Sequence, residues 1–463
     1  MNRITRALSY TVSTGILVIN SLAAVIPETN ALTFSAKVSP AFPSTYGQFG
    51  RLVSLQSNVV VFGNWVEPTS TTNILAAVYR REGDALILED ALPAPALTNL
   101  AVYDLATDGN RIAFAAAEDN VPALYIFARQ ENHWTLENTL RPTPPIWSIA
   151  MNNGVIVAGA AGKALVYELT NNVWNETIIN APTNVRGGFG ADVALDRDTI
   201  LIGSPGDPRS YAGGAYAYIR TNGGWEFQAE LPSEDFIFSR VGGQVAISGD
   251  TALLSAYPDR FNSGFVYVFL RSGGTWSRAA YLTGDGGGDF FGQSLAASGR
   301  NLVVGGPSAR GGGGVVFLFR DNGTSFDKFR LFIEDFGSGS AGDAGSFLGW
   351  AVAAAGDTVI AGAPYHDADG LNAGGGAIFR LEFPPTIHSP FLSHSDNSFH
   401  FVVIDAKAGS TYLVETAPTP DATNWTTLKE FQAVSQEVQV QVDLSGESSA
   451  QYFRLREKAP SSE

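Results

Sequence analysis

An all-β fold is predicted by three features of this sequence: a seven-bladed β-propeller with an N-terminal strand closing the last blade, plus a small C-terminal β-sandwich-like domain. Units of about 50 residues recur seven times. Five of them share one internal spacing of 13 residues, and 50 glycines stand among 29 Phe, 15 Tyr and 8 Trp. Four short strands per unit is the composition of a propeller blade, and glycine supplies the positive φ angles that tight turns between strands require.

The 463-residue chain is 45% hydrophobic and 16% charged, which is too apolar and too weakly charged for disorder. Formal net charge is −16, and no run of Lys or Arg follows Arg6. That balance excludes nucleic acid and an anionic membrane surface as partners, since both are bound by clustered cations. There is no cysteine, which excludes disulfides, thiolate metal sites and Cys nucleophiles. A large core held by packing alone suits a bacterial exported protein.

Residues 1–31 read as a signal peptide. Arg3 and Arg6 form a positive start, Ala7 to Ile26 is mostly apolar, and Ala31 closes a small-x-small pattern that Ala23 and Ala24 also satisfy. The competing reading is an uncleaved anchor of about 20 residues. No later segment is apolar and long enough to span, so the mature chain is expected to be secreted, periplasmic or on the cell surface.

Residues 32–383 hold the repeat. The clearest units open at Phe49-Gly50, Phe189-Gly190, Phe291-Gly292 and Leu348-Gly349, and weaker ones at Leu100, Trp147-Ser148 and Val241-Gly242. Thirteen residues after the Gly comes a triplet, as in Gly203-Ser204-Pro205, Gly305-Gly306-Pro307 and Gly362-Ala363-Pro364. Between them lie two strands and a turn such as Ser248-Gly249-Asp250. A loop follows, then an aromatic strand such as Tyr267-Val268-Phe269, then a strand beginning with Trp134, Trp174, Trp225 or Trp276. The seventh unit lacks this fourth strand, and Leu32 to Val38 has its pattern. That segment is expected to pair beside Ala377 to Leu381, leaving no free edge.

The Phe-Gly opening, Gly-Ala-Pro triplet and Tyr-x-Phe strand together resemble the FG-GAP repeats of integrin α-subunit propellers and of many bacterial exported proteins. The resemblance implies a propeller that binds or adheres, with calcium held in some loops after the triplet by alternating Asp/Asn oxygens. In the seventh unit Asp367, Asp369 and Asn372 are the candidate calcium ligands. The loops with Asp207, with Asp259 and Asn262, and with Ser308 and Arg310 read as ordinary turns.

Pro384-Pro385 marks the boundary to residues 384–463, whose alternating strands include Phe399 to Ile404, Tyr412 to Glu415 and Tyr452 to Leu455. Trp425 is expected in the core of this domain, with an exposed sugar-stacking Trp as the alternative. The four recurring blade tryptophans likewise read as packing, with sugar platforms as the alternative.

No residue set singles out a catalytic site. His133, His366, His388, His394 and His400 lack obvious carboxylate partners, and His366-Asp367 reads as a solvated loop. Glycosidases need two opposed carboxylates; Asp192, Asp235, Asp289 and Asp343 are candidates, yet nothing selects a pair. The expectation is a non-catalytic scaffold contacting an extracellular protein or polysaccharide. A secreted hydrolase acting through channel-mouth carboxylates and a structural envelope component are the alternatives.

Overall fold

The computed structural model describes residues 8–13, 16–20, 32–40, 47–64, 74–94, 99–131, 133–183, 185, 187–206, 213–232, 240–256, 264–286, 288–323, 325–332, 345–367, 373–383, 386–393, 398–406, 408–417, 423–435, 437–443 and 452–458. Among them there is no α-helix, and the single helical segment is the short 3-10 turn Ala309–Gly312. No helix there is long and apolar enough to cross a membrane. The chain divides into two compact units, Leu32–Leu381 and a second unit made of Met1–Ala31 with Glu382–Glu463.

The larger unit is built from four-stranded antiparallel sheets, an all-β arrangement consistent with a β-propeller. In chain order, sheet one is Leu52–Gln56, Val59–Gly63, Ile74–Glu82 and Ala85–Pro93, and sheet two is Leu100–Thr107, Arg111–Glu118, Val121–Gln130 and His133–Leu140. Sheet three is Ile146–Asn152, Val155–Ala160, Lys163–Thr170 and Val173–Asn180. Sheet four is Val193–Asp196, Thr199–Ser204, Gly214–Thr221 and Gly224–Pro232. Sheet five is Val245–Ser248, Thr251–Ala256, Phe265–Ser272 and Thr275–Thr283, and sheet six is Leu295–Ser298, Asn301–Gly306, Val315–Asp321 and Phe326–Leu331. Sheet seven comprises Val352–Ala355, Thr358–Gly362, Gly376–Leu381 and, from the start of the chain, Leu32–Val38. That last strand runs antiparallel to its neighbour with Ala36 opposite Ile378 and Val38 opposite Gly376, the pairing expected from the sequence.

Side-chain alternation explains why second strands such as Val59–Gly63 are buried along their whole length. Val59 and Val61 pack toward sheet two, joining Ile112, Phe114 and Tyr125, while Val60 and Phe62 pack toward sheet seven, joining Ile360 and Ile378. A strand covered on both faces reads as a continuous apolar run. The first strand of each sheet touches the first strand of the next, and Val352–Ala355 of sheet seven touches Leu52–Gln56 of sheet one.

The 13-residue spacing is a backbone hydrogen bond. Gly50 N donates to Gly63 O, Gly190 N to Gly203 O, Gly242 N to Ser255 O, Gly292 N to Gly305 O, and Gly349 N to Gly362 O, at 2.8–3.0 Å. At the seam between sheets seven and one, a Cβ on Gly362 would lie 1.7 Å from Gly50 O, so only glycine fits. Sheets two and three reach the same geometry without the pair. Ser148 lies opposite Gly159 and Asp104 opposite Ala115, as Leu52 lies opposite Gly63. This corrects the alignment of Trp147-Ser148 with Phe-Gly: Ile146 and Val102 stand in the glycine position, and Ser148 stands where Asp192 stands in sheet four.

In the smaller unit a five-stranded sheet has the order Ile16–Asn20, Leu8–Ser13, Tyr452–Glu457, Thr411–Ala417, Thr426–Gln432, and a three-stranded sheet has Thr386–Ser393, Ser398–Ile404, Glu437–Asp443. Phe399, Phe401, Val440 and Val442 of the second sheet share one core with Tyr412 and Val414 of the first. Residues read as a leader thus supply a strand pair here, with Leu8 opposite Phe453. Trp425 is half-buried in the connection before Thr426 and does not stand among the residues of that core, contrary to expectation.

Candidate functional site

The first strands carry a line of polar side chains that bond sheet to sheet. Asp104 Oδ2 accepts the Ile149 amide of sheet three at 2.7 Å, and Oδ1 accepts the Leu105 amide at 2.8 Å. Ser148 Oγ accepts the Val193 amide of sheet four at 3.1 Å and donates to Asp192 Oδ1 at 2.6 Å. Asp192 Oδ2 accepts the Val245 amide of sheet five at 2.7 Å. One rule repeats at three successive interfaces, in which a side chain captures the amide of the residue after its counterpart in the next sheet.

Each of the two carboxylates keeps partial solvent contact, yet protein crowds it from all sides. The crowding dominates, because confined water solvates an ion less well than bulk water. Burial pushes the Asp104 carboxyl up to about 7 against the Ile149 hydrogen bond, which pulls the other way, and the nearby Asp192 charge adds to the rise. Burial also pushes Asp192 up to about 6, opposed by the Ser148 hydroxyl and backbone amides.

At the other end of the first strands a second set repeats the device with turn residues. Asp108 accepts the Gly154 amide, Asp196 that of Gly249, Ser248 that of Gly299 and Ser298 that of Gly356, at 2.6–2.9 Å. Each hairpin glycine is therefore clamped to the preceding sheet.

The outer edge explains the recurring tryptophans. Arg129 lies over Trp134, Arg111 over Trp174, Arg220 over Trp225 and Arg271 over Trp276, at 4.9–5.9 Å. Glu168 of sheet three receives both guanidinium nitrogens of Arg220 and the indole N–H of Trp225 at 2.9 Å. The Arg220 hydrogen bond holds Glu168 below the usual carboxylate range. Gln228 of sheet four receives the indole N–H of Trp276 in the same way, at 2.8 Å. With one ring face under a guanidinium, these residues join sheets, as the packing reading has it.

The expected ligands fall out differently. Asp367 is exposed on the connection after the seventh triplet, while Asp369 and Asn372 lie outside the described residues, as do Asp207, Asp259, Asn262, Asp235, Asp343 and His394. Among the described residues no group of three acidic, His or Cys side chains could hold a metal. Asp289 is buried and caps its own turn, accepting the amides of Asp285 and Gly286 at 2.9 and 3.1 Å. Arg310 lies in the 3-10 turn with its guanidinium 4.3 Å from the Phe332 ring centre. His366 is buried rather than solvated, with Nδ1 3.0 Å from Ser346 Oγ and its carbonyl accepting the Gly374 amide at 3.0 Å. His133 is exposed at the start of a fourth strand, His400 Nε2 lies 2.6 Å from Ser398 Oγ, and the His388 side chain lies outside the described residues. Of the proposed carboxylates that are described, Asp192 and Asp289, only Asp192 lies near another acid, Asp104, which sequence reasoning did not single out. The available signal was the repeated triplet Tyr103-Asp104-Leu105, Trp147-Ser148-Ile149, Ala191-Asp192-Val193.

No family model matches the sequence, and no curated protein matches it. Among solved structures, the chain is similar to the extracellular domain of a hybrid two component system from B. thetaiotaomicron, at TM-score 0.44 and 14% identity over 81% of this chain. It is also similar to a structure described as a 6-phosphogluconolactonase from Bacteroides uniformis, at TM-score 0.48 and 12% identity over 64% of this chain. The match spans 46% of the first protein's chain and 88% of the second's.

Proposed function

We propose that this chain is an exported, non-catalytic binding scaffold: a seven-bladed β-propeller of the FG-GAP type with a leader in residues 1–31 and a small β domain in residues 384–463. It contacts an extracellular protein or polysaccharide through loops at one end of the ring. The cyclic succession of first strands supports the blade count. The observation that carries the function is the use made of Asp104 and Asp192. All four of their carboxylate oxygens are engaged by amides or a hydroxyl, and three of those bonds join one sheet to the next, so the acidic pair nearest to glycosidase chemistry serves as a structural link.

Glycan arrays and capture experiments with the mature protein test this reading, and blank results across both would overturn it. A secreted hydrolase is the second reading, favoured by one observation: a carboxyl near pH 7 suits a general acid. Saccharide or phosphoester cleavage that disappears in Asp104→Asn would install it instead. Calcium at Asp367, Asp369 and Asn372 belongs to the same proposal. A melt with and without chelator should differ by more than about 5 °C if the site is filled well above its dissociation constant; equal melts remove the metal.

A further inference from the structure

We propose that the end of the ring where the first strands begin carries a binding platform for a neutral polysaccharide, with Tyr103 and Trp147 stacking on successive sugar rings. The inference rests on the scaffold reading and names its ligand class and site. Tyr103 and Trp147 hold the same position in consecutive sheets. Each is the extra residue of a β-bulge, at Val102/Asp104 and at Ile146/Ser148. A bulge re-aims a side chain, and both rings emerge 42% exposed.

In sheets seven and one the position after the pair glycine holds Trp350 and Arg51, whose guanidinium lies 5.5 Å from the Trp350 ring centre and donates to Gln48 Oε1 at 2.8 Å. Trp350 packs in turn against Phe347 and Tyr365, at 6.5 and 5.6 Å. Four consecutive sheets therefore present Trp350, Arg51, Tyr103 and Trp147. The other three hold Ala191, Gly243 and Gln293. The first four side chains thus form a crescent over part of the rim, and Tyr103 and Trp147 stand out to solvent within it.

The crescent is rigid. The residue after each bulged ring, Asp104 or Ser148, is bonded to the next sheet, so little freedom remains to be lost on binding. A sugar ring offers an apolar face and a hydroxyl edge. Flat rings on the touching first strands of consecutive sheets match a chain of such units. A net charge of −16 disfavours polyanions. A protein partner of standard size would cover about 800 Å² and seat its anchors in pockets, whereas these rings lie on a rim.

The test is affinity electrophoresis of the full chain in gels holding xyloglucan, galactomannan, mixed-linkage β-glucan or dextran, with alginate as the anionic comparison. Retardation by at least one neutral polymer is expected. It should weaken at least about tenfold in Tyr103→Ala/Trp147→Ala and persist in Phe227→Ala/Tyr281→Ala, which removes exposed rings from fourth strands. If the first variant does not fold, quenching of tryptophan fluorescence by the retarding polymer, compared between the parent and Trp147→Phe, decides. No neutral retardation, retardation by alginate alone, or retardation indifferent to Tyr103 and Trp147 would overturn the platform. Capture of a protein without any glycan would overturn it while leaving the scaffold reading standing. Ring-dependent retardation accompanied by sugar release would keep the platform and remove the non-catalytic reading.

Discussion

Asp104 and Asp192 bind protons more tightly in the folded chain than the ordinary carboxyl, whose value is 3.8, because folding removes water from both. Stability from such groups is complete below about 4 and is lost as pH rises through about 6 and 7, where each buried carboxyl must ionise. Between pH 8 and pH 5 the pair should therefore add stability on the order of a few kcal/mol. Calorimetry should show a melting temperature rising over that window, and Asp104→Asn/Asp192→Asn should flatten the rise. An identical slope in the variant would count against the assignment. The direction is the reverse of ordinary acid denaturation, where salt-bridged carboxylates lose their partners.

Single strands and sheets meet through a few recurring devices, and Glu168 is one that can be tested. It joins Arg220 and Trp225 across two sheets, but it is partly exposed, so solvent screens it. Glu168→Gln should cost about 1 kcal/mol in urea melts, less in high salt. A loss independent of salt would indicate packing instead. What the sequence disclosed at this scale follows from backbone geometry. The Phe-Gly pair and the triplet were legible because their glycines are required by close approach, and the 13-residue spacing because one hydrogen bond sets it. Sheets two and three were misaligned because Val102 and Ile146, with a bulge after each, replace that glycine, and bulges leave no fixed residue type. The candidate site was hidden for the same reason: Tyr103 and Trp147 become exposed only through the bulge, and Asp104 looks like any strand-edge acid until the next sheet is placed. Trp425 misled because a large ring flanked by strands suggests a core, while it stands half-buried in the connection before Thr426.

At the scale of the larger unit, the first strands of sheets seven and one touch as those of the other successive sheets do. Gly362→Ala would drive a methyl group into the Gly50 carbonyl, so it should cost at least about 3 kcal/mol or prevent folding. Gly286→Ala, with open space around it, should shift stability by less than about 0.5 kcal/mol. Equal effects in denaturant melts would mean that the seam relaxes. Deleting Leu32–Val38 should bare the edge of Gly376–Leu381 and yield aggregates by light scattering. A monodisperse deletion product would show that the edge is protected in another way.

The strand supplied from the front of the chain also imposes a schedule. Leu32–Val38 leaves the ribosome early, yet its partner Gly376–Leu381 is made hundreds of residues later, so sheet seven cannot form until most of the chain has been synthesised. A rearranged chain that moves those seven residues to follow Leu381 through an added tight turn keeps the strand pairing while making the final sheet contiguous. It should refold faster than the parent at nearly equal stability, since only the distance along the chain has changed.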